Sequence, residues 1–322
     1  MKSVWKILGL TAAVAVGTTA CEPFELDDGG GGTAGSAFSR GFVFVRESDR
    51  NVYALDDNGN PNSPLVLTQH GGVYQPAVSR SGQLVAYVYK SGSTFELRTV
   101  PTTGQGQPST LLSSTGLTGC TGCTNFSYPT FSPDGRTIVF TLTQSSRTLL
   151  ARVGTDASGF RLLTSSSSRV FGPSTFMPDG RSVLAAGGAS AGQLNLLLQV
   201  NVDSGAESVA SFSLGNEALS VVSRVAVSPD GTKVAFDGRV SNGGSRIFVG
   251  QFSGPQVQSF TQVTGDTSSG TYPSWRSNTE LGFLSDDGGY DNVYRISATS
   301  VRGSGNLTIA VPGALEPSYG GF

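Results

Sequence analysis

The phrase Ser-Pro-Asp-Gly occurs at Ser132–Gly135 and again at Ser228–Gly231, with Met177-Pro178-Asp179-Gly180 between them. Each copy sits in a similar sentence: PTFSPDGRTIVFT, STFMPDGRSVLAA and VAVSPDGTKVAFD. A polar turn is flanked by short apolar runs, and the unit returns about every 45–53 residues. A fixed period in that range marks solenoids, propellers or arrays. Two further copies have worn turns, with Ser81-Gly82 and Asn278-Thr279 in place of Asp-Gly. A sixth unit, Gly41–Asp56, begins without its first strand. The missing piece stands at the other end, where Glu316-Pro317-Ser318-Tyr319-Gly320 echoes Tyr272-Pro273-Ser274-Trp275. A ring closes in that way, whereas a linear solenoid has no need of it.

Within the third unit the pattern predicts four strands: Tyr128–Phe131, Thr137–Leu142, Thr148–Val153 and Leu162–Thr164. Gly in the first turn suits the positive φ of a tight two-residue hairpin. The strands are β-branched and aromatic, as expected of sheets covered on both faces. Radial packing of such sheets leaves only short, protected edges. The expected fold is therefore all-β: a six-bladed β-propeller of four-stranded blades over residues 40–322, closed by the C-terminal strand.

Composition narrows the function. A formal net charge of −2, with 17 Arg and 4 Lys scattered along the chain, argues against nucleic acid, which selects basic stripes. A single His, His70, weighs against most metal and general-base chemistry. Lys2, Lys6, the apolar run Ile7–Val16 and Thr18-Thr19-Ala20 before Cys21 read as an export signal over residues 1–20. Its apolar run is about half of what a bilayer span needs. Cys21 is the candidate lipidated residue of a bacterial lipoprotein signal, although Thr18 departs from the usual lipobox. Ordinary cleavage after Ala20 is the alternative. The acidic, Gly-rich stretch over residues 21–39 reads as a tether. Cys120 and Cys123 pair with each other in this reading, leaving Cys21 as the odd cysteine of an exported protein.

The unit Pro-x-Phe/Trp-Ser-Pro-Asp-Gly-x-x-Ile/Val-x-Phe, with phrases such as LSDDGGYDNVYRI (Leu284–Ile296) and VGTDASGFRLLT (Val153–Thr164), resembles the TolB-type, WD-like propeller repeat. The likeness covers roughly residues 41–322. Only about twenty residues separate Cys21 from the first blade, so the likeness is to the propeller of TolB without its N-terminal domain. The resemblance implies a periplasmic or surface module that binds proteins or peptides.

Motifs that suggest other chemistry have simpler readings. The repeated Asp residues recur at one hairpin of successive units and read as turn-makers. Gly188-Ala189-Ser190-Ala191-Gly192 matches the nucleophile elbow, but that motif needs a strand-to-helix turn and a downstream base. It falls between two strands, and His70 lies upstream. Cys120, Cys123 and one His are too few for tetrahedral zinc. Asp56–Asn60 and Ser285–Gly289 have calcium-like composition without the downstream Glu of an EF-hand and read as turns. No cofactor or metal is expected.

Aligning the units places Gln75, Tyr128, Pro173, Arg224, Tyr272 and Glu316 at one position, in the loops entering the innermost strands. Tyr and Arg dominate binding hot spots. The expectation is a channel mouth of Gln75, Tyr128, Arg224, Tyr272 and Glu316 that binds an envelope protein or peptide. Packing of the channel is the alternative role for these side chains. The expected protein is a non-catalytic, monomeric scaffold of the bacterial envelope, outer membrane or periplasm, touching the membrane through lipid at Cys21. A carbohydrate-active or small-ligand propeller is the alternative.

Overall fold

Six four-stranded antiparallel sheets form the blades of a propeller, with blade 1 built from both ends of the described chain. The computed structural model describes residues 38–211, 221–240, 244–253, 255–304 and 307–322. The expected export signal, Cys21 and most of the tether lie outside the described residues. In blade 3 the strands run Cys123–Phe131, Thr137–Gln144, Arg147–Gly154 and Arg161–Leu162 from the channel outward. The innermost strands of the other blades are Ala314–Gly320 in blade 1, Val73–Val78 in blade 2, Val170–Phe176 in blade 4, Val221–Val227 in blade 5 and Thr271–Trp275 in blade 6.

Closure is as the repeat requires. Ala314–Gly320 pairs antiparallel with Gly41–Arg46, setting Phe42 opposite Tyr319 and Val43 opposite Ser318. The buried apolar residues fall into six clusters, one at each blade interface. The interface between blades 6 and 1 packs Phe42, Phe44 and Tyr53 against Val293 and Val311. It is a full member of the ring, since burying one such side chain contributes roughly 1.5–3 kcal/mol. Polar bonds support the closure: within blade 1 Arg40 Nε donates to Tyr319 Oη at 2.8 Å, and across the seam Arg276 Nη2 of blade 6 donates to Asp57 Oδ1 of blade 1 at 2.8 Å.

The turns differ from expectation in one respect. Ser132 N donates to Thr137 O at 2.8 Å and Gly135 N to Ser132 O at 2.9 Å, which closes a four-residue loop with Pro133 at its first corner. Gly135 takes φ 72° at the end of a type I turn, so glycine is needed for the reason given, in a longer loop. The Ser132 side chain fastens the turn at both ends, donating to Asp134 and accepting from Thr137 N at 2.9 Å. The worn turn of blade 2 keeps this device, with Ser79 Oγ accepting from Leu84 N at 3.1 Å. Serine therefore sustains the turn where the aspartate has been replaced and only the glycine, Gly82, is kept. The two-residue connection in blade 3 is Ser145-Ser146, at φ 46° and 74°, between strands that pair from Gln144 and Arg147.

The fourth strand of blade 3 is shorter than expected. Regular pairing stops at Leu162, while Leu163 N still donates to Leu150 O and Thr164 Oγ1 accepts from Leu150 N. A side chain has replaced one rung of the ladder.

Candidate functional site

The central channel is built by the innermost strand of every blade. Each of the five inner strands of blades 2 to 6 carries a register break, between Tyr74 and Ala77, Ser127 and Thr130, Phe171 and Ser174, Val222 and Val225, and Thr271 and Ser274. At the bulge Gln75, Tyr128, Tyr272 and Glu316 take φ 52–54°. Each of these four precedes a proline: Pro76, Pro129, Pro273 and Pro317. A bulge leaves one strand amide without a ladder partner, and proline removes that donor. The aligned residues thus sit in bulges within the strands. Alignment of the units alone places them in the entering loops, because it shows register without showing where pairing slips.

The five candidate residues meet inside the channel and bond to one another. Glu316 Oε2 accepts from Gln75 N at 2.6 Å, and Gln75 Oε1 accepts from Tyr128 N at 2.9 Å. Tyr272 Oη donates to Glu316 Oε1 at 2.9 Å. Arg224 lies with its guanidinium carbon 3.2 Å from the centroid of the Tyr272 ring, while its Nη2 donates to Tyr128 Oη at 3.4 Å. Tyr128 belongs to blade 3 and Tyr272 to blade 6, on opposite sides of the ring. A guanidinium that touches both joins side chains from opposite sides of the ring. These side chains floor the channel.

Sequence reasoning missed Asp237. This residue, on the second strand of blade 5, has 0% exposure. Its carboxylate accepts from Arg224 N, from Arg224 Nη1 at 3.2 Å and from the backbone of Tyr272. Burial pushes its carboxyl up from the ordinary carboxylate range against the pull of Arg224. Burial also works against the charge on Arg224, but Asp237 outweighs it and holds the guanidinium protonated. The Tyr272 hydroxyl is pushed far up by burial, so it remains a donor to Glu316.

Above the floor the bore widens. The next inward-facing position holds Ala77, Thr130, Thr175, Ala226, Ser274 and Ser318, one small side chain per blade. The resulting cavity has a volume of about 250 Å³. It continues to the Ser-Pro-Asp-Gly end of the ring, where Pro133, Pro178 and Pro229 line one arc and Arg80 and Phe322 the other. The turns make the structural bonds expected of them, and their prolines also frame the entrance. Their aspartates do not line the cavity.

The remaining candidates lie elsewhere. Cys120, in the loop that enters blade 3, and Cys123, the first residue of its innermost strand, have Cα atoms 5.8 Å apart, within disulfide reach. His70 is exposed and within 3.1 Å of Tyr87 Oη. Gly188–Gly192 falls between the second and third strands of blade 4. Asp56 is spent on the backbone of Ser39, Arg40 and Asn58. Among the described residues no group of three His, Cys, Asp or Glu side chains is placed to hold a metal.

No protein-family model matches the sequence, and neither does any curated protein sequence. Solved structures do match its fold. TolB from Acinetobacter baumannii superposes with a TM-score of 0.64 at 18% identity, over 87% of this chain and 66% of that one. The fold is TolB-like. A putative TolB from Agrobacterium tumefaciens matches at 17% identity, over 87% of this chain and 92% of that one, with a TM-score of 0.57. An oligogalacturonate lyase in complex with manganese matches at 14% identity, over 81% of this chain and 70% of its own, with a TM-score of 0.54. At these identities the likeness is one of architecture, shared by TolB proteins and an enzyme alike. This chain spans slightly less than two thirds of the Acinetobacter protein.

Proposed function

We propose that this protein is a non-catalytic propeller scaffold of the bacterial envelope, which takes an extended segment of a partner protein into the open end of its central channel. The observation that carries the reading is the form of the channel. Large polar side chains tied to one another make the floor, small side chains line the bore, and a firm proline arc frames the entrance. Such a site receives a narrow chain without rearranging, which lowers the cost of binding. The TolB-like fold supports an envelope role. The signal-like residues 1–20 and Cys21 extend the proposal to a lipid-anchored protein held on a tether.

Two observations support a non-catalytic role. Glu316 is the only carboxylate lining the cavity among the described residues, whereas glycosidic cleavage uses a pair. Both of its oxygens already accept hydrogen bonds from the floor.

The test is affinity capture from native envelope with the bore filled. Thr130→Trp places an indole where a small side chain stands, and it leaves the bonded floor residues in place. Loss of the captured partner with an unchanged melting profile is expected; Tyr128→Ala and Arg224→Ala should weaken capture through the floor. Undiminished capture by Thr130→Trp contradicts the proposal.

A further inference from the structure

The corner that follows each innermost strand is a repeat position of its own. Pro133, Pro178 and Pro229 occupy it in the three intact turns. Blade 2 carries Arg80 there, blade 6 Ser277 and blade 1 Gly321, so Arg80 is the one charged residue at this position. It lines the mouth of the cavity. Its backbone is fixed, since Arg80 O accepts from Gly321 N at 3.1 Å and from Phe322 N at 2.9 Å. Its side chain is exposed and makes no hydrogen bond or ion pair among the described residues.

The carboxylates at this end of the ring are committed elsewhere. Asp57 is held by Arg276 and Tyr319, and Asp56 by the backbone of Ser39 and Arg40. Asp134 accepts from Ser132 Oγ and Arg136 N, and Asp230 from Ser228 Oγ and Thr232 N. The other charged residues lining the cavity are in the floor, where Arg224 pairs with Asp237 and both oxygens of Glu316 are bonded. The mouth therefore meets an incoming chain with one free cation and, among the described residues, no Asp or Glu side chain. Its far wall is apolar: blade 2 stands opposite blade 5 in the ring, so Pro229, with Pro178 beside it, lies across the mouth from Arg80. Successive side chains of an extended chain point to opposite sides. A segment passing down the mouth turns one side chain to Arg80 and the next to the proline arc.

We propose that the mouth selects partner segments in which an acidic side chain, set against Arg80, neighbours an apolar one, set against Pro178 and Pro229. The inference rests on the reading of the channel as a peptide site and names the kind of sequence that site admits. A carboxylate matches the parallel N–H groups of a guanidinium. The proline rings offer an apolar surface with no backbone donor to satisfy. Because the pair forms at an exposed rim, it supplies discrimination and a faster encounter more than raw affinity.

The probes are the N-acetylated, C-amidated peptide Ala-Ala-Glu-Leu-Ala and its versions with Gln or Lys in place of Glu. Binding is read from amide shifts of the isotope-labelled protein. The Glu peptide is expected to bind roughly threefold to fivefold more tightly than the Gln peptide, the scale of an exposed ion pair, with shifts at Arg80, Thr130 and Ser318. The chain as a whole carries a formal charge of −2, so non-specific attraction would favour the Lys peptide instead. The preference should fade at about 1 M salt, where screening acts within about 3 Å. Arg80→Gln should abolish it and Arg80→Glu reverse it towards Lys, with unchanged unfolding, since this side chain bonds to nothing in the fold. Equal binding of the Glu and Gln peptides, a preference that survives Arg80→Gln, or no binding of the Glu peptide at millimolar concentration overturns the proposal. In each of those cases the Thr130→Trp capture experiment still decides the broader reading separately.

Discussion

Asp237 holds Arg224 at two points, accepting from its backbone N–H and from its Nη1 at 3.2 Å, and so fixes the guanidinium between Tyr272 and Tyr128. The pair is the keystone of the floor. Breaking a buried ion pair from one side costs roughly 3–5 kcal/mol, because the other charge stays behind. Arg224 retains 19% side-chain exposure and Asp237 none, so the two truncations differ in kind. Asp237→Asn should cost about 3 kcal/mol in urea unfolding, near the low end of that range.

Arg224→Ala leaves a carboxyl with no countercharge in a fully buried site. Burial already raises this carboxyl in the intact pair, and removing the arginine raises it further. A folded-state value above the unfolded one means that the native protein binds the extra proton. The variant is therefore most stable at low pH and loses stability as pH rises through the folded value. Its deficit relative to the parent should be smaller at pH 5 than at pH 8. A deficit independent of pH would count against a buried charge as the cause.

The turn aspartates titrate with the opposite sign. The Ser132 hydroxyl and then the Arg136 amide hold Asp134 below its usual value. Burial works to raise Asp230, but the Ser228 hydroxyl and the Thr232 backbone outweigh it. Carboxyls depressed in the folded state contribute stability that is complete above the unfolded value and is lost as pH falls through the folded one. Replacing both with Asn should flatten the acid limb of the stability profile below about pH 4, near the unperturbed Asp value. An unchanged acid limb would show that these bonds do not matter to stability.

Two glycines separate backbone strain from steric conflict. Gly135 and Gly82 have nearly the same positive φ, 72° and 74°. A methyl on Gly135 meets nothing within 4 Å, whereas on Gly82 it lies 2.5 Å from the Ser39 carbonyl oxygen. Gly135→Ala should cost about 1 kcal/mol, the penalty of a left-handed residue. Gly82→Ala should cost clearly more, because the obstacle is backbone at the seam between blades 1 and 2. Equal melting shifts would contradict the packing at that seam.

The cysteine pair makes a covalent prediction. Cys120 and Cys123, with Cα atoms 5.8 Å apart, should form a disulfide in protein made in an oxidising compartment. Intact mass should be lower by two hydrogens, and reduction should cost no more than about 2 kcal/mol for so short a loop. Free thiols in exported protein would rule out the bond.

The fold was legible because the repeat repeats. Five copies of one turn, two of them worn, a sixth unit that starts at Gly41 without its first strand, and the echo of Tyr272–Trp275 at Glu316–Gly320 imply both the blade count and the closure. The floor was half legible: alignment brings Gln75, Tyr128, Arg224, Tyr272 and Glu316 together, but no alignment shows that left-handed bulges turn them onto one another. Asp237 did leave a signal. Its counterparts in the other blades are Val45, Val88, Thr141, Ala186 and Leu284, so a lone acid at an otherwise uncharged position shares a blade with the lone rim arginine. Which end of the channel is open was not legible, since it depends on how far Arg224 reaches in space.

The most direct test of the channel as the binding site is photo-crosslinking in the native envelope, with a photoreactive side chain at Thr130 inside the bore or at Thr308 on the outermost strand of blade 6. Crosslinks to a partner from Thr130 and none from Thr308 are predicted. Crosslinks from Thr308 alone would contradict the account.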